Sequence, residues 1–140
     1  MLHYGDAETV GSSVEVLTRF HSHKSADERL MAMAPVRLRR AISFIERNID
    51  GPLRVDDIAS EAGMSRCHFI RCFKRETGRT PYQFVIWRRT LRAVDLLGDP
   101  AIPLVEVALA AGFASQAHFN QTFRRLMGDT PGRWRRDRMG

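Results

Sequence analysis

Five side chains in two short stretches are of the types that read nucleotide bases: Arg66 and Arg71 in one, Gln116, Asn120 and Gln121 in the other. Arginine forks onto guanine O6 and N7, and asparagine or glutamine pairs with adenine, so these residues suit hydrogen bonding in a major groove. Each stretch runs into a basic pair, Lys74-Arg75 and Arg124-Arg125, suited to phosphate. Other chemistry is thin. His3, His21 and His23 lack the fixed spacing of a zinc site, so no metal is expected. A Gly-rich phosphate loop, an ordered Ser/His/Asp set and paired carboxylates are all missing, so the sequence predicts neither catalysis nor a cofactor. Cys67 and Cys72 would lie about 7.5 Å apart along a helix axis, too far to bridge to each other.

Charge points the same way. Of 140 residues, 22 are basic and 16 acidic, for a net +6. Residues 1–34 hold three basic and five acidic residues, so the remainder carries nineteen against eleven, a net +8. Twenty of the basic residues are arginine, whose planar fork matches phosphate and guanine. A polyanion is the expected partner, with nucleic acid ahead of an anionic membrane. The composition, 44% hydrophobic and 27% charged, is that of a globular chain of one ordinary or two very small domains. No apolar run approaches the ~18 residues of a membrane span, and no secretory signal is visible after Met1, so the cytoplasm is the expected location.

Glycine and proline cut the chain into helical pieces, and no period-two strand pattern appears, so the fold is expected to be all-α. Leu38, Ile42, Ile45 and Ile49 form one apolar stripe over residues 36–49, surrounded by Arg37, Arg39, Arg40 and Arg47. A second helix is predicted from about Val55 to Ala62, with Asp56 and Asp57 in its first turn. Ser65 caps a third that reaches about Thr77. Thr80, Pro81 and Gln83 open a long fourth helix, about 81–97, with a capping box.

The chain then repeats itself. At a shift of 49, Ile58-Ala59 falls on Val107-Ala108 and Ala62-Gly63 on Ala111-Gly112; with one more residue in the turn, His68-Phe69 falls on His118-Phe119. From His68 to Pro81, seven of fourteen positions are identical to their counterparts. Each copy has a small residue (Ala59, Ala108), a turn glycine (Gly63, Gly112) and two phenylalanines at i, i+4 (Phe69 and Phe73, Phe119 and Phe123), the parts of a helix–turn–helix. His68 and His118, beside those phenylalanines, are expected to be structural or backbone-contacting and not catalytic. At ~100° per residue the face away from the phenylalanines holds Cys67, Ile70, Arg71 and Lys74, and in the second copy Ala117, Asn120, Gln121 and Arg124. Gln116 stands where the first copy has Arg66. Arg75 and Arg125 point sideways, which suits phosphate. Ser65 and Ser115 mark helix starts, where free N–H groups can meet a phosphate. Cys67, second in its helix, is an accessible thiol with redox potential as a side role.

The run from Val55 to Pro81, the linking helix with Arg88 and Arg92, and the set Gly112-Phe113, His118-Phe119, Phe123-Arg124-Arg125, Gly128 and Thr130-Pro131 resemble the AraC/XylS family of bacterial transcription regulators. The resemblance covers about residues 36–138. It implies two homeodomain-like helix–turn–helix subdomains (about 55–77 and 103–127) on a linker helix, entering successive major grooves of double-stranded DNA. The implied base readers are Arg66, Cys67, Ile70 and Arg71, then Gln116, Ala117, Asn120 and Gln121; Cys67, Ile70 and Ala117 offer only apolar contact, as to a thymine methyl group. Ser65, Lys74, Arg75, Ser115, Arg124 and Arg125 are the expected phosphate contacts. The resemblance also implies an activator working with RNA polymerase, bound to DNA as a monomer.

Family members often carry an effector or dimerisation domain ahead of this module. Here residues 1–34 precede a domain expected over 35–138. Val10, Val14 and Leu17, with possible capping boxes at Ser12/Glu15 and Ser25/Glu28, suggest short helices too small to enclose a ligand. Two readings stay open: a regulator that works without an effector, and the C-terminal part of a longer, effector-sensing one. A nonspecific basic module binding RNA or an acidic protein is the rival from another class. DNA alkyl-repair proteins that carry the same module supply the enzyme alternative, but their chemistry resides in a separate domain.

Overall fold

Serine, threonine and proline set where most of the helices start, the helix after Arg54 being an exception. The computed structural model describes residues 36–139, all seven of whose regular elements are helices. They are α1 (Val36–Arg47), α2 (Val55–Glu61), α3 (Arg66–Thr77), α4 (Pro81–Leu97), α5 (Leu104–Ala111), α6 (Gln116–Met127) and α7 (Pro131–Met139). The short helices expected before residue 35, and the three histidines there, lie outside the described residues. Ser65 Oγ accepts from His68 N–H at 3.3 Å, and Ser115 Oγ from His118 N–H at 3.1 Å. Thr80 and Gln83 exchange the two bonds of a capping box. A cap of this kind is worth about 1 kcal/mol, because it satisfies an N–H that the first turn otherwise leaves open.

The repeat is visible in three dimensions. In both units a backbone bond closes the turn between the first two helices: Met64 N–H donates to Ala59 at 3.0 Å, and Phe113 N–H to Ala108 at 2.9 Å. The third helix of each unit closes the aromatic core edge-on, Phe84 against Phe73 at 5.2 Å and Trp134 against Phe123 at 5.7 Å. The terminal helix α7 is therefore the counterpart of the start of α4, which carries the repeat past Thr130-Pro131. One buried cluster runs through both units, from Leu38, Ile42 and Ile45 under α1 to Phe119, Phe123 and Trp134.

The first helix ends two residues earlier than its stripe suggests. After Arg47 the backbone turns, Asn48 Nδ2 donates to Phe44 O at 2.8 Å, and Ile49 still lies buried. Its apolar pattern outlasts the helix because the turn folds back onto the core.

Candidate nucleic-acid interface

Both recognition helices are held by their phenylalanines. Phe69 and Phe73 bury α3, with ring centroids 5.3 Å apart; Phe119 and Phe123 do the same for α6 at 5.6 Å. The second helix sits deeper, since Thr122, Leu126 and Met127 are buried as well, whereas Cys72, Glu76 and Thr77 at the matching positions are not. Burying such aromatic and aliphatic side chains contributes roughly 1.5–3 kcal/mol each, so these anchors fix which side of each helix faces out.

On α3 and its cap, Ser65, Arg66, Cys67, Arg71, Lys74 and Arg75 are exposed, and Ile70 is half-buried. On α6 and its cap, Ser115, Ala117, Gln121, Arg124 and Arg125 are exposed, while Gln116 and Asn120 are half-buried. Each helix thus brings its candidates onto one side, with those three seated at the edge of the face. Asn120 Oδ1 is buried and has no hydrogen-bond partner among the described residues. Arg66 lies 3.7 Å from Asp56, an exposed pair of little strength, and Arg75 lies 3.8 Å from Glu76. The two histidines part company. His118 packs edge-on against Phe113 at 5.5 Å, but His68 is exposed, because Met64 replaces that phenylalanine in the first unit.

Three arginines of α4 hold the units around it, and the sequence reading singled out only two of them. Arg88 pairs with Glu46 of α1 at 2.6 Å, with its side chain largely buried. Arg89 donates to two carbonyls just past α1, Ile49 O at 2.9 Å and Gly51 O at 2.5 Å. Burial pulls its guanidinium below the usual arginine range, opposed by Tyr82 and Asp50. Arg92 donates to Ala110 O near the end of α5 at 2.8 Å. From α7, Arg135 reaches Leu97 O at 3.2 Å and Ile102 O at 2.8 Å, securing the α4–α5 connection. Apart from Arg88–Glu46, these contacts join side chains to backbone oxygens, which no residue pattern advertises. No described helix is long and apolar enough to cross a membrane, and the described residues include no group of three or more potential metal ligands.

A family described as a helix-turn-helix domain matches residues 58–137. The probable transcriptional regulator LumQ of Photobacterium leiognathi is 36% identical over 92 residues, 66% of this chain and 37% of LumQ. The chain thus spans little more than a third of that relative. An AraC-type DNA-binding-domain regulator from Chromobacterium violaceum superposes with a TM-score of 0.67 at 38% identity, over 73% of this chain and 91% of that one. The DNA-binding domain of AdpA, solved in complex with a target DNA, superposes at 0.68 with 32% identity, over 71% and 90% of the two chains. Two matching helix–turn–helix units, a capped linker helix between them and these likenesses place the chain in one group: it belongs to the AraC/XylS family of transcription regulators.

Proposed function

We propose that this chain is a sequence-specific, DNA-binding transcription regulator that sets α3 and α6 into two successive major grooves on one face of a duplex. The observation that carries the reading is the pair of like-built helices, each serine-capped, anchored by two phenylalanines and exposed along the other side. The AdpA domain's complex with DNA supports it. At about 1.5 Å per residue the 17-residue α4 is ~25 Å long, which with the helix–turn–helix bodies suits the ~34 Å between grooves on one face. Arg66, Arg71, Gln116 and Gln121 then read bases, and Cys67, Ile70 and Ala117 give apolar contacts. Asn120 is a special case. Its buried Oδ1 is withheld from the groove, so Nδ2 alone serves there, as a donor to adenine N7 or guanine O6. Ser65, Lys74, Arg75, Ser115, Arg124 and Arg125 take the phosphates.

In this reading residues 35–138 are the DNA-binding domain and 1–34 an extension. The chain binds DNA as a monomer in the bacterial cytoplasm, contacts RNA polymerase as an activator, and catalyses nothing. The partial span of LumQ favours a second reading, in which the same domain serves a longer, effector-sensing regulator. Competition binding against genomic fragments, random duplex and single strands is the test. A clear preference for particular duplexes at physiological salt supports the regulator; preference by no more than a few-fold makes the chain a nonspecific basic module.

A further inference from the structure

The two turn glycines are equivalent in sequence but not in surroundings. Both have positive φ, +71° at Gly63 and +103° at Gly112, so both turns need glycine for their backbone. A Cβ at Gly63 would meet nothing within 4 Å among the described residues. A Cβ at Gly112 would run into the Ile49 carbonyl oxygen and lie 2.6 Å from Arg89 Nε. The second turn is therefore seated on a platform made by the end of α1 and the Arg89 side chain. That platform is itself built by Arg89, whose two bonds to Ile49 O and Gly51 O hold the α1 end against α4.

We propose that Arg89 is a positioning residue that sets the phase between the two recognition helices, by holding the first unit's α1 end under the turn of the second helix–turn–helix. A continuous α4 fixes the separation of its two ends. The rotation of the second unit about the α4–α5 connection is set by how α5 packs on α4 and by what that packing rests against. Arg135 and Arg92 tie that unit to α4 and to the α4–α5 connection, at Leu97, Ile102 and Ala110. The contact of Gly112 with Ile49 and Arg89 adds a direct tie to the end of α1, beside the core the two units share. A guanidinium suits this place because its fixed fork spans two carbonyls of one turn while its stem covers the glycine; a lysine ammonium has no such fork. The inference rests on the two-groove reading, and it turns that reading into a spacing rule. Half-sites one base pair too near or too far are rejected because the second unit has no freedom to follow.

The test compares the chain with Arg89→Ala and Arg89→Lys on a selected duplex and on duplexes with one base pair inserted or deleted between the half-sites. The unaltered chain is expected to lose about tenfold in affinity per inserted or deleted pair, and the Arg89 variants less than about threefold. Equal penalties in all three proteins overturn the inference. Paired spin labels at Ser60 and Glu106, both exposed, in a chain whose native cysteines are replaced by serine, give a second readout that needs no DNA. Their distance distribution should broaden in each folded Arg89 variant. Unchanged width overturns the inference, and so does loss of folding in both variants, which makes Arg89 a folding residue. Lack of any duplex preference in the unaltered chain instead overturns the regulator reading, and the labels still decide the role of Arg89.

Discussion

Gly112→Ala should cost far more stability than Gly63→Ala, although the two glycines perform the same turn. At Gly63 the added methyl meets open space, so the cost is the left-handed strain of about 1–2 kcal/mol. The reduced freedom of the unfolded chain offsets about 0.4–1 kcal/mol of that, leaving about 1 kcal/mol net. At Gly112 the strain is joined by a collision with the Ile49 carbonyl, whose relief pushes that oxygen away from Arg89. Losing one hydrogen bond to a charged donor adds about 1.5–3 kcal/mol, so the total is about 2.5–4 kcal/mol. Urea unfolding followed by circular dichroism at 222 nm gives both numbers. A gap of about 1.5 kcal/mol or more between the variants is expected. Equal losses would mean that the second turn is no more crowded than the first, and the platform argument fails with it.

Three further outcomes follow from the same geometry. Arg71→Ala and Gln121→Ala should each relax preference at a few base pairs at about 1–3 kcal/mol, seen in binding to single-substitution duplexes. Arg75→Ala and Arg125→Ala should weaken all duplexes alike and reduce the slope of log affinity against log salt; identical behaviour of all four variants would place the helical face one register off. Thr80→Ala, which removes half of a capping box at the start of α4, should cost about 1 kcal/mol in the same unfolding assay, with a loss below about 0.3 kcal/mol counting against the cap.

Helix starts were legible because their signals are local. Ser65, Ser115 and Thr80 each bond an N–H three residues on, and a side chain followed by a short run suffices to see that. The exposed sides of α3 and α6 were legible for the same reason, since phenylalanines four apart define the buried side. The half-burial of Gln116 and Asn120 was not, because it depends on how deeply α6 sits. The burial of Thr122, Leu126 and Met127, whose counterparts on α3 are not buried, marks that depth. Helix α7 was recoverable: Thr130-Pro131 repeats Thr80-Pro81, and Trp134 stands fifty residues after Phe84. The arginine contacts of Arg89 and Arg135 were beyond reach, because their partners are backbone oxygens distant in sequence, which every residue has.

The central claim is that one chain reads two different half-sites with two helices held on one face of the duplex. Hydroxyl-radical footprinting of the purified chain on a fragment selected from the source genome, with stoichiometry measured on the same complex, tests it most directly. The account predicts one chain per site and two protected patches about 10–10.5 base pairs apart on the same face, over unlike sequences. A palindromic site protected only when two chains bind, or a single patch of one half-site's width, would contradict it.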